Sequence, residues 1–187
     1  MERLINLLGY QITWFVTVMG ANHGKSAPAW IAASLLCAGH LAASSWRWLD
    51  VRLLALAAML GIFLDGLLAS TGLLHYSPAT PAVPIGDCPL WILALWFAFS
   101  TTLTRSLGWL RGRIGWAVLL GAAGGPLSYW AAARGWGVVT FESPAWRGLL
   151  ALAIGWGMSL AILSGAAARA TKNVSTQQPA LEEPDFP

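Results

Sequence analysis

A few polar side chains interrupt runs otherwise built from Leu, Ala, Ile and Trp, and these are the residues with chemistry to offer. Asp65 stands alone in one apolar run, His40 in another and Gln11 in a third. Arg105 follows a hydroxyl-rich run, Ser100, Thr101, Thr102 and Thr104. A charge at mid-bilayer costs about 2.5 to 3.5 kcal/mol even on the mild insertion scale, so such groups turn toward other helices or a wet cavity. Three arrangements satisfy Asp65: an ion pair with Arg105, a protonated carboxyl bonded to Gln11 or Thr101, or a hydrated cavity holding a cation or polar headgroup. A plain structural clasp between helices is the alternative to any of these acting as a site.

The other candidates are weaker chemically. His40 has Asp50 as its nearest carboxylate in sequence, and no HxxxH or HExxH spacing accompanies it. It is expected to bond a helix backbone or Asp65, and no metal site is read. Ser128 and Tyr129 follow Gly124-Gly125-Pro126 and can donate inward, although a serine in a span often bonds its own backbone. No GxSxG, phosphate-binding loop or dinucleotide fingerprint is present, and no cofactor is implied.

The elements that must position these groups are membrane helices. Only 10% of the 187 residues are charged and 57% are hydrophobic, with mean hydropathy +0.61. An average soluble domain carries about 25% charged residues, so a soluble fold is excluded. Runs of about 20 apolar residues are needed per span. The chain accordingly divides into an all-α polytopic bundle of about six transmembrane helices over 4–21, 27–45, 53–74, 90–107, 114–133 and 147–168, forming one domain, 1–168. Residues 169–187 read as a disordered cytoplasmic tail. The first run reads as a retained helix rather than a signal peptide, because Met19 to His23 makes a poor cleavage site. Pro28 suits a first helical turn. The prolines at 78, 81, 84 and 89 predict an extended outer loop, and Pro126 predicts a kink in the fifth helix. Gly121 and Gly125 form a GxxxG expected to pack within the bundle.

The eleven basic residues set the orientation. Arg3, Arg47, Arg52, Arg105, Arg111, Arg113, Arg169 and Lys172 fall on one side, Lys25, Arg134 and Arg147 on the other, which places both termini in the cytoplasm. Trp30, Trp46, Trp48, Trp91, Trp109, Trp116, Trp136 and Trp146 lie near helix ends, as interfacial aromatics do. The basic residues are spread through loops, so the net charge of +3 points to topology and not to nucleic acid. Cys37 and Cys88 differ in depth by roughly 15 Å, too far for a disulfide.

Counting at about 1.5 Å per residue from the outer helix ends sets Gln11, Asp65, Thr101 and the Gly125-Pro126 break at roughly 14 to 17 Å, with His40 and Arg105 at roughly 20 to 22 Å. Gln11, His40, Asp65, Thr101, Thr102, Arg105, Ser128 and Tyr129 are therefore expected to wall a polar cavity among the third, fourth and fifth helices.

Several segments carry a resemblance. Pro89-Leu-Trp-Ile-Leu-Ala-Leu-Trp96, Phe99-Ser-Thr-Thr-Leu103, Ser106-Leu-Gly-Trp-Leu110 and Gly124-Gly-Pro-Leu-Ser-Tyr129 are its core. With Gln11, Trp14, Phe15, Gly20 and the stretch Gly61 to Gly66, the chain resembles a family of short bacterial inner-membrane proteins catalogued as a domain of unknown function, DUF family 2878. Where the family pattern has a histidine after the Thr-rich run, this chain has Arg105. The resemblance implies a multi-pass protein of the bacterial cytoplasmic membrane and carries no activity with it.

Three functions remain open on these residues. One is binding, moving or presenting a lipid or small amphiphile in the polar cavity. Another is an intramembrane lipid-modifying enzyme with Asp65 as acid or base, weakened by the lack of a second carboxylate at similar depth. The last is a structural subunit of a membrane complex.

Overall fold

Six helices form where the apolar runs lie: α1 Glu2–Asn22, α2 Ala27–Ala42, α3 Arg47–Ser70, α4 Leu90–Ser100, α5 Ile114–Trp136 and α6 Trp146–Thr176. The computed structural model describes residues 1–84 and 86–176. Two short strands, β1 Leu74–Tyr76 and β2 Val139–Phe141, join the loop after α3 to the loop after α5. They pair antiparallel, with His75 opposite Thr140, so both loops are fixed to each other at one end of the bundle.

α4 is the hub. None of its residues is exposed, and it packs against α1, α2 and α3. A helix apolar on every side is what a bundle centre requires. Around it, α5 lies along α6, α1 along α2, and α3 also touches α6. Gly121 and Gly125 form the α5 seam: a Cβ at Gly121 would stand 2.3 Å from the Trp156 carbonyl oxygen, and one at Gly125 2.3 Å from the Trp156 ring. The GxxxG therefore packs inside the bundle, and α5 continues through Pro126 as one helix.

The outer surface is apolar. Ile12 and Phe15 on α1, Met59 and Phe63 on α3, and Ile154 and Met158 on α6 are all exposed. An apolar surface of that extent is stable in lipid and not in water. By length and composition α1, α3 and the Trp146–Arg169 part of α6 are able to cross a bilayer, which makes this a membrane protein.

Several boundaries differ from the sequence expectation: α2 ends at Ala42 instead of residue 45, and α3 begins at Arg47, inside the stretch expected as a loop, and ends at Ser70 instead of Leu74. α4 stops at Ser100 instead of running to Leu107, for a reason that belongs to the polar region below. α5 continues past Ala133 to Trp136 and ends on Gly137 in the left-handed conformation, φ 65°. α6 continues past Ala168 to Thr176, with no proline or glycine to interrupt that stretch. The rest of the expected tail, 177–187, lies outside the described residues.

Candidate functional site

Asp65 is fully buried, and its carboxyl group receives three hydrogen bonds. Tyr76 and Tyr129 donate their hydroxyls to Oδ1 at 2.8 and 2.5 Å, and Trp96 donates its indole N–H to Oδ2 at 2.6 Å. Four elements converge here: α3 supplies the acid, and β1, α4 and α5 supply the donors. Gly61, one turn before Asp65, admits Trp96. A Cβ at that position would lie 2.4 Å from the indole Cδ1. The other face of Trp96 stacks on Trp156 with ring centroids 4.3 Å apart. Burial, and after it the Asp65 charge, hold the Tyr76 phenol well above its ordinary value, so it remains a donor. The same two causes push up the Cys88 thiol; Cys37 and Cys88 are both free.

These partners correct the sequence reading. None of Arg105, Gln11 or Thr101 bonds Asp65. Because α3 ends at Ser70, Asp65 is only about 8 Å from the end of its helix, shallower than a count to Leu74 gives. Tyr76 on β1 is thereby brought within reach.

The hydroxyl run ends α4. Ser100, Thr101 and Thr102 each donate back to the carbonyl three residues earlier, at Phe97, Ala98 and Phe99, at 2.7, 2.8 and 2.6 Å. Side chains that bond their own backbone compete with the helical ladder. The backbone tightens to three-residue bonds from Thr101 onward and closes with a 3-10 turn, Gly108–Leu110. Asn6 of α1 stitches this turn in place. Its Nδ2 donates to Thr101 Oγ1 at 3.2 Å, and its Oδ1 accepts from Ser106 Oγ at 2.8 Å.

Beyond the turn a second polar group forms. His40 Nε2 lies 3.1 Å from Asp50 Oδ1 and 3.3 Å from Thr104 Oγ1, and Thr104 donates to the same Asp50 oxygen at 2.7 Å. Ser44 donates to the other Asp50 oxygen. Arg105 reaches outward instead: one terminal nitrogen pairs with the Glu2 carboxylate, the other donates to the Ala43 carbonyl at 2.7 Å. Its side chain is 19% exposed and that of Glu2 77%.

The eight expected wall residues thus separate. Asp65 and Tyr129 meet; Ser128 donates to the Gly125 carbonyl beside them. His40 and Arg105 share the opposite region, Thr101 and Thr102 lie in the turn between, and Gln11 is exposed on the outer face of α1. Next to the Asp65 cluster lies a cavity of about 30 Å³ walled by Tyr10, Trp14, Trp91, Trp96, Tyr129 and Trp156 among others. That is room for a water or two. Asp65 is not in its wall. At the Arg105 end the openings are larger: an apolar groove of about 400 Å³ between α1 and α2, and a polar pocket of about 300 Å³. Among the described residues no set of three His, Cys, Asp or Glu side chains is grouped to hold a metal.

A family model described as Protein of unknown function (DUF2878) matches residues 3–162. The chain belongs to that family. The DUF2878 match takes in both polar regions, from Asn6 and Arg105 at one end to Asp65 and Tyr129 at the other. No curated protein and no solved structure matches the chain.

The residues the sequence did not single out are Glu2, Asn6, Tyr76 and Trp96, with Asp50 noticed only as an interfacial neighbour. Asn6 carried a signal, an amide flanked by Ile5 and Leu7. Nothing local marks Tyr76 or Trp96 as a donor to a carboxyl group.

Proposed function

We propose that this protein binds an amphiphile at the Arg105 end, with the apolar part lying between α1 and α2 and the polar end in the pocket at its mouth. The observation that carries this reading is continuity: Glu2, Ala43 and Arg105 line both the groove and the pocket. The groove is walled by Ile5, Leu35 and Leu36 with Gly9 and Gly39, which leaves a smooth apolar track. The pocket is walled by Arg3, Ser44, Ser45, Thr104 and Arg111. An apolar trough opening onto a few convergent polar groups is the ordinary form of a small-molecule site. The site therefore lies nearer the helix ends than the mid-membrane cavity among α3, α4 and α5. The chain reads as crossing a bacterial inner membrane six times with both termini cytoplasmic, supported by its basic-residue distribution, which puts the Arg105 end at the cytoplasmic face.

Gly39 offers the test. A Cβ there meets nothing within 4 Å and Gly39 lies in the groove wall, so Gly39→Phe is the variant that fills the groove from open space. A long-chain fatty acid carrying a photoactivatable diazirine, added to the full chain in micelles, should label peptides of α1 and α2, and Gly39→Phe should remove that labelling. Labelling spread evenly over the apolar surfaces of α3 and α6, and unchanged by Gly39→Phe, sinks the proposal.

A further inference from the structure

The pocket at the groove mouth is built for one class of polar end. We infer that it takes a phosphate-bearing headgroup, and that Glu2 occupies the phosphate position until the ligand displaces it. The inference rests on the groove reading above and adds the ligand's chemical class and a competitor built into the chain.

Three guanidinium side chains, Arg3, Arg105 and Arg111, face the pocket against one carboxylate, Glu2. The wall thus carries an excess of positive charge. Asp50 lies behind it and does not cancel that excess: it is 3% exposed and its oxygens are already taken by His40, Thr104 and Ser44. His40 is on the groove side and faces Asp50 rather than the pocket. Arg105 is shared between Glu2 and the Ala43 carbonyl and Arg111 gives its Nε–H to the Gly108 carbonyl, which leaves guanidinium donors of the wall to meet an anion from outside, with Ser45 beside them.

Arg105 is the fixed element. Its bond to the Ala43 carbonyl anchors one terminal nitrogen, and its side chain is mostly covered. Glu2 is the loose one, exposed over 77% of its side chain and on the first turn of α1. An exposed ion pair contributes little, about 0 to 1 kcal/mol, so exchanging its carboxylate for a better anion meets small resistance. A planar guanidinium fork binds phosphate through paired, charge-assisted bonds, and the further arginines of the wall add donors for the remaining oxygens of the headgroup. A volume of about 300 Å³ also exceeds what a fatty-acid carboxylate fills. With chains in the groove and phosphate at Arg105, the occupant is an anionic phospholipid. The same chemistry would accept free phosphate, which the experiment separates.

Native mass spectrometry of the full chain released from micelles can count bound molecules of phosphatidylglycerol, of diacylglycerol with the same chains, and of inorganic phosphate. Phosphatidylglycerol should be retained about tenfold better than diacylglycerol. Arg105→Gln should bring it down to the diacylglycerol level while leaving diacylglycerol unchanged, and Arg105→Lys, which keeps the charge and loses the fork, should recover only part. Glu2→Gln should raise phosphatidylglycerol retention. If both lipids bind equally and Gly39→Phe removes both, the groove stands and the phosphate inference falls. If neither lipid responds to Gly39→Phe, the groove reading itself is wrong. If inorganic phosphate competes as well as the lipid and Gly39→Phe has no effect on either, the site takes the bare anion, and the lipid assignment is overturned.

Discussion

Asp65 and Arg105 are both charged residues in a greasy chain, and the bundle treats them in opposite ways. Asp65 is closed off, with no exposure, three donors from three other elements, and Gly61 cut away so that Trp96 can reach it. Arg105 is left at an opening, with one anchoring carbonyl and one partner that is itself mostly exposed. A polar group whose every bond is made inside the protein has nothing left to offer a ligand, and its role is to hold helices in register. A group held in place but satisfied by a replaceable partner is the one open to a ligand. Ionisable residues within membrane segments invite functional readings by default, and here the count of internal partners separates the clasp from the candidate site.

The comparison breaks most easily at Asp65. Asp65→Ala would strand two phenol hydroxyls and an indole N–H in a buried site, each costing about 1 to 3 kcal/mol. The loss should be at least about 3 kcal/mol of unfolding free energy, read as a large drop in denaturation midpoint in micelles. Asp65→Asn, which keeps the shape and one acceptor oxygen, should lose less. If Asp65→Ala were as stable as the wild type yet failed to bind amphiphile, the two ends would have to exchange roles. Gly61→Ala tests the same clasp from its other side. The added methyl would collide with the Trp96 indole and push it off Oδ2, an overpacking cost of about 1 to 3 kcal/mol. A fall in stability together with a changed tryptophan emission is expected, and an unchanged midpoint would mean that the indole bond contributes nothing.

What the sequence disclosed follows from which interactions are local. Long apolar runs, the early Pro28, the GxxxG at Gly121 and the breaks at loops are local signals, and the six helices followed them. The end of α4 was also local, written in consecutive hydroxyls, but Ser100 to Thr102 read as polar residues of a continuing span when their effect is to end the helix. The partners of Asp65 were not legible, since they come from positions 76, 96 and 129 and depend on the β1–β2 pairing that holds the loop after α3 against the bundle. Depth counting placed Asp65 with Thr101 because it ran α3 on to Leu74, four residues past its end at Ser70. The pairing of Arg105 with Glu2 joins residues 103 apart, and no pattern within either segment points to the other.

The smallest stability effect belongs to the open end, and its smallness is the point. Arg105→Gln removes an ion pair whose acid is exposed, a type of contact that contributes about 0 to 1 kcal/mol. The bond to the Ala43 carbonyl goes with the guanidinium, but Asn6 holds the turn after α4 independently through Thr101 and Ser106. The denaturation midpoint should therefore move by less than about 1 kcal/mol equivalent while phospholipid retention collapses. A variant that loses ligand without losing stability is what separates a binding group from a structural one. Were Arg105→Gln to destabilise the bundle as much as Asp65→Ala, Arg105 would be a second clasp, and the pocket beside it a gap between helix ends.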